Sequence, residues 1–246
     1  MLNLCQRQQT KNLDAHTANS YNNYSAGVAE LADAADLKSA GAILVGSSPT
    51  PGTINDDVMP WLIIILGYFL GSIPTAYIAE HILKGVDIRQ IGDGNVGAAN
   101  VFRQLSPKAG VIVWFFDVGK GALAILIPQA ANVPQLALLL TGVAAVVGHN
   151  WPVFIGFRGG RGVSTTIGVL LAVVTQPMLI VAGPAVLALF IKRSVTLACA
   201  LLFIPLSLVC WRLEIPGLLI TYSIALPCLV GFTHFLRMKR QVIRQA

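Results

Sequence analysis

From Pro60 onward the chain alternates between long apolar stretches and short polar segments. A membrane span needs roughly 20 apolar residues, and fewer where a helix is short or broken. The pattern predicts seven spans, near residues 60–83, 109–128, 134–149, 162–176, 178–191, 195–211 and 216–236. The fourth and fifth are short and are separated only around Gln176-Pro177, so one bent hairpin is the alternative there.

Composition agrees with a membrane protein. Of the 246 residues, 55% are hydrophobic and 11% are charged, with a mean hydropathy of +0.70, whereas about 25% of residues in soluble domains are charged. The net charge of +6 does not indicate a nucleic-acid partner, because the basic residues are dispersed among apolar spans. The four cysteines show no metal-binding spacing, and no metal is expected. We predict an all-α bundle of about seven transmembrane helices.

Residues 1–58 differ from the rest of the chain, because they are polar and hold no adequate span. The stretch 27–52 resembles a transfer-RNA gene translated by mistake, and Met59 stands directly before the first span. The hypothesis is a spurious extension over 1–58 and an integral membrane domain over 59–246. A genuine disordered tail is the alternative.

Basic residues predict the orientation of the bundle. With seven spans, twelve of the fourteen Lys and Arg residues after Met59 fall on one side, Arg212 falls on the other, and Lys120 lies within a span. By the positive-inside rule, the side with twelve is cytoplasmic.

Two glycine-rich polar blocks lie on that side, and both are candidate anion sites. The first block, residues 92–103, holds Gly92, Gly94 and Gly97 followed by Arg103. Glycines let backbone N–H groups approach an anion, and an arginine neutralises its charge. The alternative is an ordinary surface loop followed by an amphipathic helix near 96–105.

The second block, residues 148–162, begins where His149 ends a span and Trp151-Pro152 breaks the helix. Its Gly159-Gly160-Arg161-Gly162 segment opens the next helix, where consecutive glycines favour anion binding. The alternative for His149 is an interfacial histidine whose hydrogen bonds are all satisfied. The alternative for Arg158 and Arg161 is that they only determine the orientation of the chain in the membrane.

Three further ionisable residues outside these blocks are candidates. Asp117 and Lys120 are one helical turn apart inside a span, where charged groups usually pair or serve function. His234 opens a basic C-terminal segment that either anchors to the inner leaflet or reaches a shared pocket.

Together these residues resemble the bacterial membrane glycerol-3-phosphate acyltransferases that use acyl phosphate as donor. The resemblance covers 59–246 and includes Gly71-Ser72-Ile73-Pro74, both blocks, and Asp117-x-x-Lys120-Gly121. It implies a multi-pass enzyme of the bacterial inner membrane with a cytoplasmic active site. Acyl transfer from acyl phosphate to the 1-hydroxyl of glycerol 3-phosphate would give lysophosphatidate and phosphate. No cofactor is implied; membrane lipids are the expected surroundings, and a monomer or weak oligomer is the expected state.

The resemblance and the blocks together give the candidate site. Catalytic candidates are Asp93, Arg103, His149 and Arg161. Substrate-binding candidates are Gly94, Asn95, Gly97, Asn100, Lys120, Gly159, Gly160 and His234. The phosphate of the donor is the expected acceptor of the hydroxyl proton.

The chain departs from the family's usual residues at several positions. Asp93 stands where Ser is usual, Ala99 replaces Thr, Arg161 replaces Lys, and Arg237 replaces Asn. Asp93 would turn outward, be protonated, or act as a general base. These changes keep a second hypothesis open, that of a weak or inactive member that binds lipid or phosphate. A small transporter is disfavoured, because polar residues cluster at one face and no inverted repeat is evident.

Overall fold

The computed structural model describes residues 55–245, with side chains described for residues 60–238. Within this range ten α-helices follow one another, and two short 3₁₀ turns lie in the connections. The helices are α1 Asn55–Ser72, α2 Thr75–Lys84, α3 Ala98–Gln104, α4 Pro107–Ala130, α5 Gln135–Asn150, α6 Val163–Val173, α7 Thr175–Lys192, α8 Val195–Phe203, α9 Leu206–Arg212 and α10 Gly217–Gln245.

The helical bundle predicted from the hydropathy pattern is confirmed. In the described part of the chain, six segments are long and apolar enough to cross a membrane. The fourth predicted span corresponds to α6, which is shorter, with 11 residues. The break after it was expected around Gln176-Pro177, which is wrong by a few residues. It lies at Val174, whose φ of −127° and ψ of 59° leave the helical region. Pro177 instead occupies the first turn of α7, where a missing N–H is tolerated.

Two predicted spans are each made of two helices. The span from Pro60 to Lys84 breaks between Ser72 and Thr75, at Ile73-Pro74, and the span from Val195 to Arg212 breaks near Pro205. Proline lacks the N–H that continues a helix, so carbonyl groups before it need other donors. At the first break the Lys120 ammonium donates to the Ile73 carbonyl at 3.0 Å. The break thus draws a charged side chain of α4 toward the α1–α2 junction.

Small residues bring neighbouring helices into close contact. A Cβ added at Gly71 of α1 would collide with the Ala145 carbonyl of α5, and one at Gly148 would collide with the Tyr68 carbonyl. Helices in a membrane associate through such close backbone packing rather than through a hydrophobic driving force. The outward faces carry large exposed apolar side chains, such as Phe115, Phe116 and Phe190, as expected for a surface that meets lipid.

The second block is fixed from several directions. Tyr68 of α1 donates its hydroxyl to the Trp151 carbonyl at 2.8 Å, and Thr233 of α10 donates to the Arg161 carbonyl at 3.3 Å. Arg89, in the connection before the first block, donates to the Ile155 carbonyl at 3.2 Å. Both blocks and α10 therefore meet at one end of the bundle.

Candidate active site

The first block forms a tight loop that precedes α3. Gly92 and Gly94 adopt φ values of 61° and 64°, a left-handed conformation that glycine accepts without strain. The fully buried Asn100 donates its amide to the carbonyls of Ile91 and Asn95, each at 3.1 Å. This side chain holds the loop in one shape. A Cβ at Gly92 would collide with the Asn100 amide oxygen, so glycine is required there for space as well.

The second block folds back over the end of α5. The Gly160 N–H donates to the His149 carbonyl at 3.0 Å, and the Gly159 N–H donates to the Asn150 carbonyl at 3.3 Å. A Cβ at Gly160 would collide with the imidazole of His149. The glycines therefore let the loop backbone lie directly against the histidine ring.

A buried polar cluster lies beneath the second block. The Asp117 carboxylate is 2.8 Å from the Lys120 ammonium and 3.6 Å from Nδ1 of His149. Thr75, at the start of α2, donates its hydroxyl to Asp117 at 2.6 Å. Three side chains from three helices thus share one carboxylate, an arrangement in which each charged group inside a membrane protein has an opposite or polar partner.

A second ionic group lies at the outer edge of the site. The Oδ2 atom of Asp93 accepts from Arg103 at 3.1 Å and from Arg161 at 3.2 Å. Its Oδ1 atom accepts the N–H of Asn95 at 3.2 Å. The carboxylate therefore bridges a guanidinium of the first block and a guanidinium of the second block.

Two cavities adjoin at Gly159. The outer cavity has a volume of about 390 Å³. It is lined by residues of the connection before the first block, of both blocks and of α10: Arg89, Gln90, Gly92, Asp93, Gly94, Asn95, Trp151, Phe157, Arg158, Gly159, Arg161, Thr233, Leu236 and Arg237. The inner cavity, of about 10 Å³, has room for about one water molecule. Lys120, His149, Gly159 and Gly160 are among the residues that line it. The site thus consists of a large outer cavity lined by arginines and a small inner cavity lined in part by Lys120 and His149.

The sequence model of the family described as Glycerol-3-phosphate acyltransferase matches residues 61–244. The chain belongs to this family. Glycerol-3-phosphate acyltransferase 4 of Dehalococcoides mccartyi is 46% identical over 182 residues, which are 74% of this chain and 98% of that protein. The glycerol-3-phosphate acyltransferase of Bacillus velezensis is 42% identical over 181 residues, 73% of this chain and 92% of that protein.

Two crystal structures are similar to the chain. Both are of PlsY (YgiH), an integral membrane glycerol 3-phosphate acyltransferase, one in the glycerol 3-phosphate form and one in the lysophosphatidic acid form. Their TM-scores are 0.65 and 0.63, with 35% and 33% sequence identity. Each comparison covers 75% of this chain and 92% of the other. The acyltransferase family and its all-helical membrane fold, as expected from the sequence, are confirmed.

Most of the predicted site residues line one of the two cavities. The outer cavity takes Asp93, Gly94, Asn95, Gly159 and Arg161, and the inner cavity takes Lys120, His149, Gly159 and Gly160. Arg103 reaches the site through its ion pair with Asp93. Of the three alternatives given for Asp93, the outward orientation is not the one observed, since its carboxylate pairs with Arg103 and Arg161 at the wall of the outer cavity.

Three other predicted residues do not line either cavity. Asn100 supports the first block from within, as its buried amide bonds to the loop backbone. Gly97 precedes α3 with extended backbone and does not line either cavity. His234, half-buried on α10, lies within electrostatic range of Arg161 and Asp93.

Three arginines that line the outer cavity, Arg89, Arg158 and Arg237, were not predicted to be site residues. Arg237 of α10 donates to the carbonyls of Gly159 and Asn150, the latter at 2.9 Å. Arg89 pairs with Asp87 at 2.5 Å as well as bonding to Ile155. Its hydrogen bonds hold the pKa of the Asp87 carboxyl below the usual value. Arg89 and Arg237 lie outside the two blocks in the sequence, and their positions there do not indicate that they line the site.

Among the described residues that line the outer cavity, two polar atoms are buried without a hydrogen-bond partner: Nε of Arg161 and Oδ1 of Asn95. Buried polar atoms in proteins are nearly always hydrogen-bonded, so unpartnered ones near a cavity favour a polar ligand. The donor on Arg161 suits an anion, and the acceptor on Asn95 suits a hydroxyl or an N–H group.

Proposed function

We propose that this protein transfers an acyl group from acyl phosphate to the 1-hydroxyl of glycerol 3-phosphate, giving lysophosphatidate and inorganic phosphate. The observation that carries the proposal is the convergence of Arg103 and Arg161, from separate blocks, on one carboxylate at the cavity wall. Two guanidiniums held at one point form a phosphate site, because each can donate charge-assisted bonds to the same anion. The named activities of the relatives and of PlsY support this assignment.

The outer cavity accommodates the polar substrates in this proposal. Arg103 and Arg161 bind a phosphate group, and the backbone of Gly94 and the side chain of Asn95 orient the glycerol. Arg89, Arg158 and Arg237 add positive charge along the same cavity. The acyl chain lies along the apolar outer faces of the helices, where lipid also lies.

The reaction needs one nucleophilic attack. The glycerol 1-hydroxyl oxygen attacks the acyl carbonyl carbon, and a tetrahedral intermediate carries the negative charge on the former carbonyl oxygen. Collapse re-forms the carbonyl and breaks the bond to the phosphate oxygen. The phosphate leaves with the proton of the hydroxyl, so atoms and charge balance without a dedicated base. Arginines placed at the developing charge lower the barrier.

The inner cavity supports the reacting groups from below. Lys120 and His149 line it, and Asp117 holds both side chains in place. We assign to Lys120 and His149 the stabilisation of the donor's head group at the base of the site. The carboxylate of Asp93 pairs with Arg103 and Arg161 in the unliganded protein and does not act as the base.

In the same proposal the protein lies in the inner membrane of a bacterial cell. Both blocks face the cytoplasm, because most Lys and Arg residues lie on that side. A cysteine at Lys108 would react with a membrane-impermeant maleimide only after lysis, in a variant whose native cysteines are replaced. A cysteine at Ala131 would react in intact cells. The reverse labelling would contradict the orientation.

Donor competition tests the reaction itself. The purified protein in detergent receives glycerol 3-phosphate with either acyl phosphate or acyl-coenzyme A of the same chain length. Lysophosphatidate should form with acyl phosphate and not with the thioester. Equal rates with the thioester, or acyl phosphate consumption that yields only free fatty acid, would contradict the proposed donor or acceptor.

A weak or inactive member that only binds phosphate is the second candidate, and one observation favours it. Asp93 already holds the two guanidiniums that the phosphate needs. In that case the native protein would show no turnover, and Asp93→Ser would create it.

A further inference from the structure

The Asp93 carboxylate accepts hydrogen bonds from three donors of the kinds that bind phosphate groups. Its Oδ1 atom accepts a backbone N–H from Asn95, and its Oδ2 atom accepts from Arg103 and Arg161. Loop N–H groups combined with guanidiniums are a usual phosphate-binding set in proteins. The side chain is 31% exposed and lies at the wall of the outer cavity, so a solute can reach it.

We infer that Asp93 is a specificity-determining residue: a tethered anion that competes with phosphate for Arg103 and Arg161. In the unliganded protein the carboxylate keeps the two guanidiniums together. A phosphate that enters the cavity competes with it for the N–H donors of both arginines. When product phosphate leaves, the carboxylate returns to them. The link to substrate binding rests on the proposed function, whereas the competition for phosphate does not.

Electrostatics gives the direction of the effect. An ionised carboxylate only accepts hydrogen bonds, so it cannot donate to a phosphate oxygen. Its negative charge also repels the ligand from the same two arginines. Removal of that charge, with the side-chain volume preserved, should therefore strengthen phosphate binding. We expect an increase of about tenfold for a partly exposed site, where solvent moderates the repulsion.

The opposite sign would mark a purely structural role. If Asp93 served only to hold the arginines and the first block in place, its loss would loosen the site and weaken phosphate binding. Asp93→Asn keeps the shape and an acceptor for the Asn95 N–H, which limits this effect. The sign of the change in affinity therefore separates competition from support.

The test uses inorganic phosphate as the probe and isothermal titration of the full chain in detergent. The variants are Asp93→Asn and, as a control with the same change of charge, Glu214→Gln on the exposed turn between α9 and α10. Asp93→Asn should bind phosphate about tenfold more tightly than the native protein, and Glu214→Gln should bind it with native affinity. Equal or weaker binding by Asp93→Asn would overturn the inference. So would an equal gain in the control.

A second variant protects the test against misfolding. Asp93→Ser retains an oxygen near the Asn95 N–H and also removes the charge, so it should strengthen phosphate binding too. In kinetic assays both variants should show a lower KM for glycerol 3-phosphate and stronger inhibition by product phosphate. The titration needs no turnover. If the native protein showed no acyl transfer, the proposed function would be contradicted and the phosphate-binding result would still stand.

Discussion

Asp117 and Lys120, one turn apart on α4, form an ion pair of 2.8 Å with the two side chains 1% and 5% exposed. The pair does more than neutralise two charges. Lys120 also donates to the carbonyl of Ile73 at the break between α1 and α2, and this carbonyl accepts the Thr75 N–H as well. The pair therefore joins the α1–α2 junction to the inner cavity.

Asp117→Asn should destabilise the protein strongly. It leaves the Lys120 ammonium buried without its counter-charge, and removal of one partner of a buried pair costs about 3–5 kcal/mol. The thermal midpoint in detergent should fall well below that of the native protein. The double variant Asp117→Asn/Lys120→Met, which buries no charge at this place, should recover part of the loss. A midpoint unchanged by Asp117→Asn alone would contradict this account of the pair.

Gly160→Ala should reduce turnover and also lower the stability of the fold. The new methyl group would collide with His149 and with the Val96 carbonyl, and such overpacking shifts neighbours at a cost of about 1–3 kcal/mol. We expect kcat to fall at least about tenfold, since one tenfold step is about 1.4 kcal/mol. Gly119→Ala is the matched control, because a Cβ there meets nothing within 4 Å. Native kcat for Gly160→Ala would show that close contact with His149 is not needed.

Arg237→Ala should raise KM more than it lowers the thermal midpoint. Its guanidinium donates to the Gly159 and Asn150 carbonyls and so holds the second block against α10. We expect KM for glycerol 3-phosphate to rise about tenfold, given about 1.5–3 kcal/mol for hydrogen bonds from a charged group. Arg237→Lys should be intermediate, because an ammonium lacks the planar fork that reaches two carbonyls. Met238→Ala, at the exposed neighbouring position, should leave KM unchanged.

The hypothesis that residues 1–58 are a spurious extension stays a prediction. The described helix α1 begins at Asn55, and the family match begins at residue 61. Mass spectrometry of the natural protein should find an N-terminus at Met59. A peptide from within residues 27–52 would show that the segment is translated and would refute the hypothesis.

Hydropathy predicted the bundle because every helix that crosses lipid must present a long apolar stretch of residues. The positions of the breaks were harder to predict. Val174 has no local feature that ends a helix, whereas the nearby Pro177 does, yet the latter fits within the first turn of α7. A proline ends a helix only at a position whose backbone N–H would have to donate to the preceding turn. Whether a position has to donate depends on where the helix starts.

The two blocks were recognisable because clustered glycines and arginines stand out against apolar spans and favour an anionic ligand. Their partners were not. Asp93 and Arg161 are 68 residues apart, and only the fold brings them to 3.2 Å. Arg237 looked like a basic residue after the last span, and its bonds to two loop carbonyls depend on the position of α10. Sequence thus indicated which groups carry charge, and the structure shows which of them share a ligand-sized space.

The most direct test of the central claim is the initial rate of acyl transfer in Arg161→Ala, measured as lysophosphatidate and phosphate together. Native protein should release the two products in equal amounts. Arg161→Ala should lower both rates by a factor of about 10² to 10³, as loss of a donor to developing charge does in other enzymes. Lys192→Ala, which removes an exposed charge at the end of α7, should keep the native rate. Wild-type turnover in Arg161→Ala would contradict the claim that the two blocks bind the reacting phosphate.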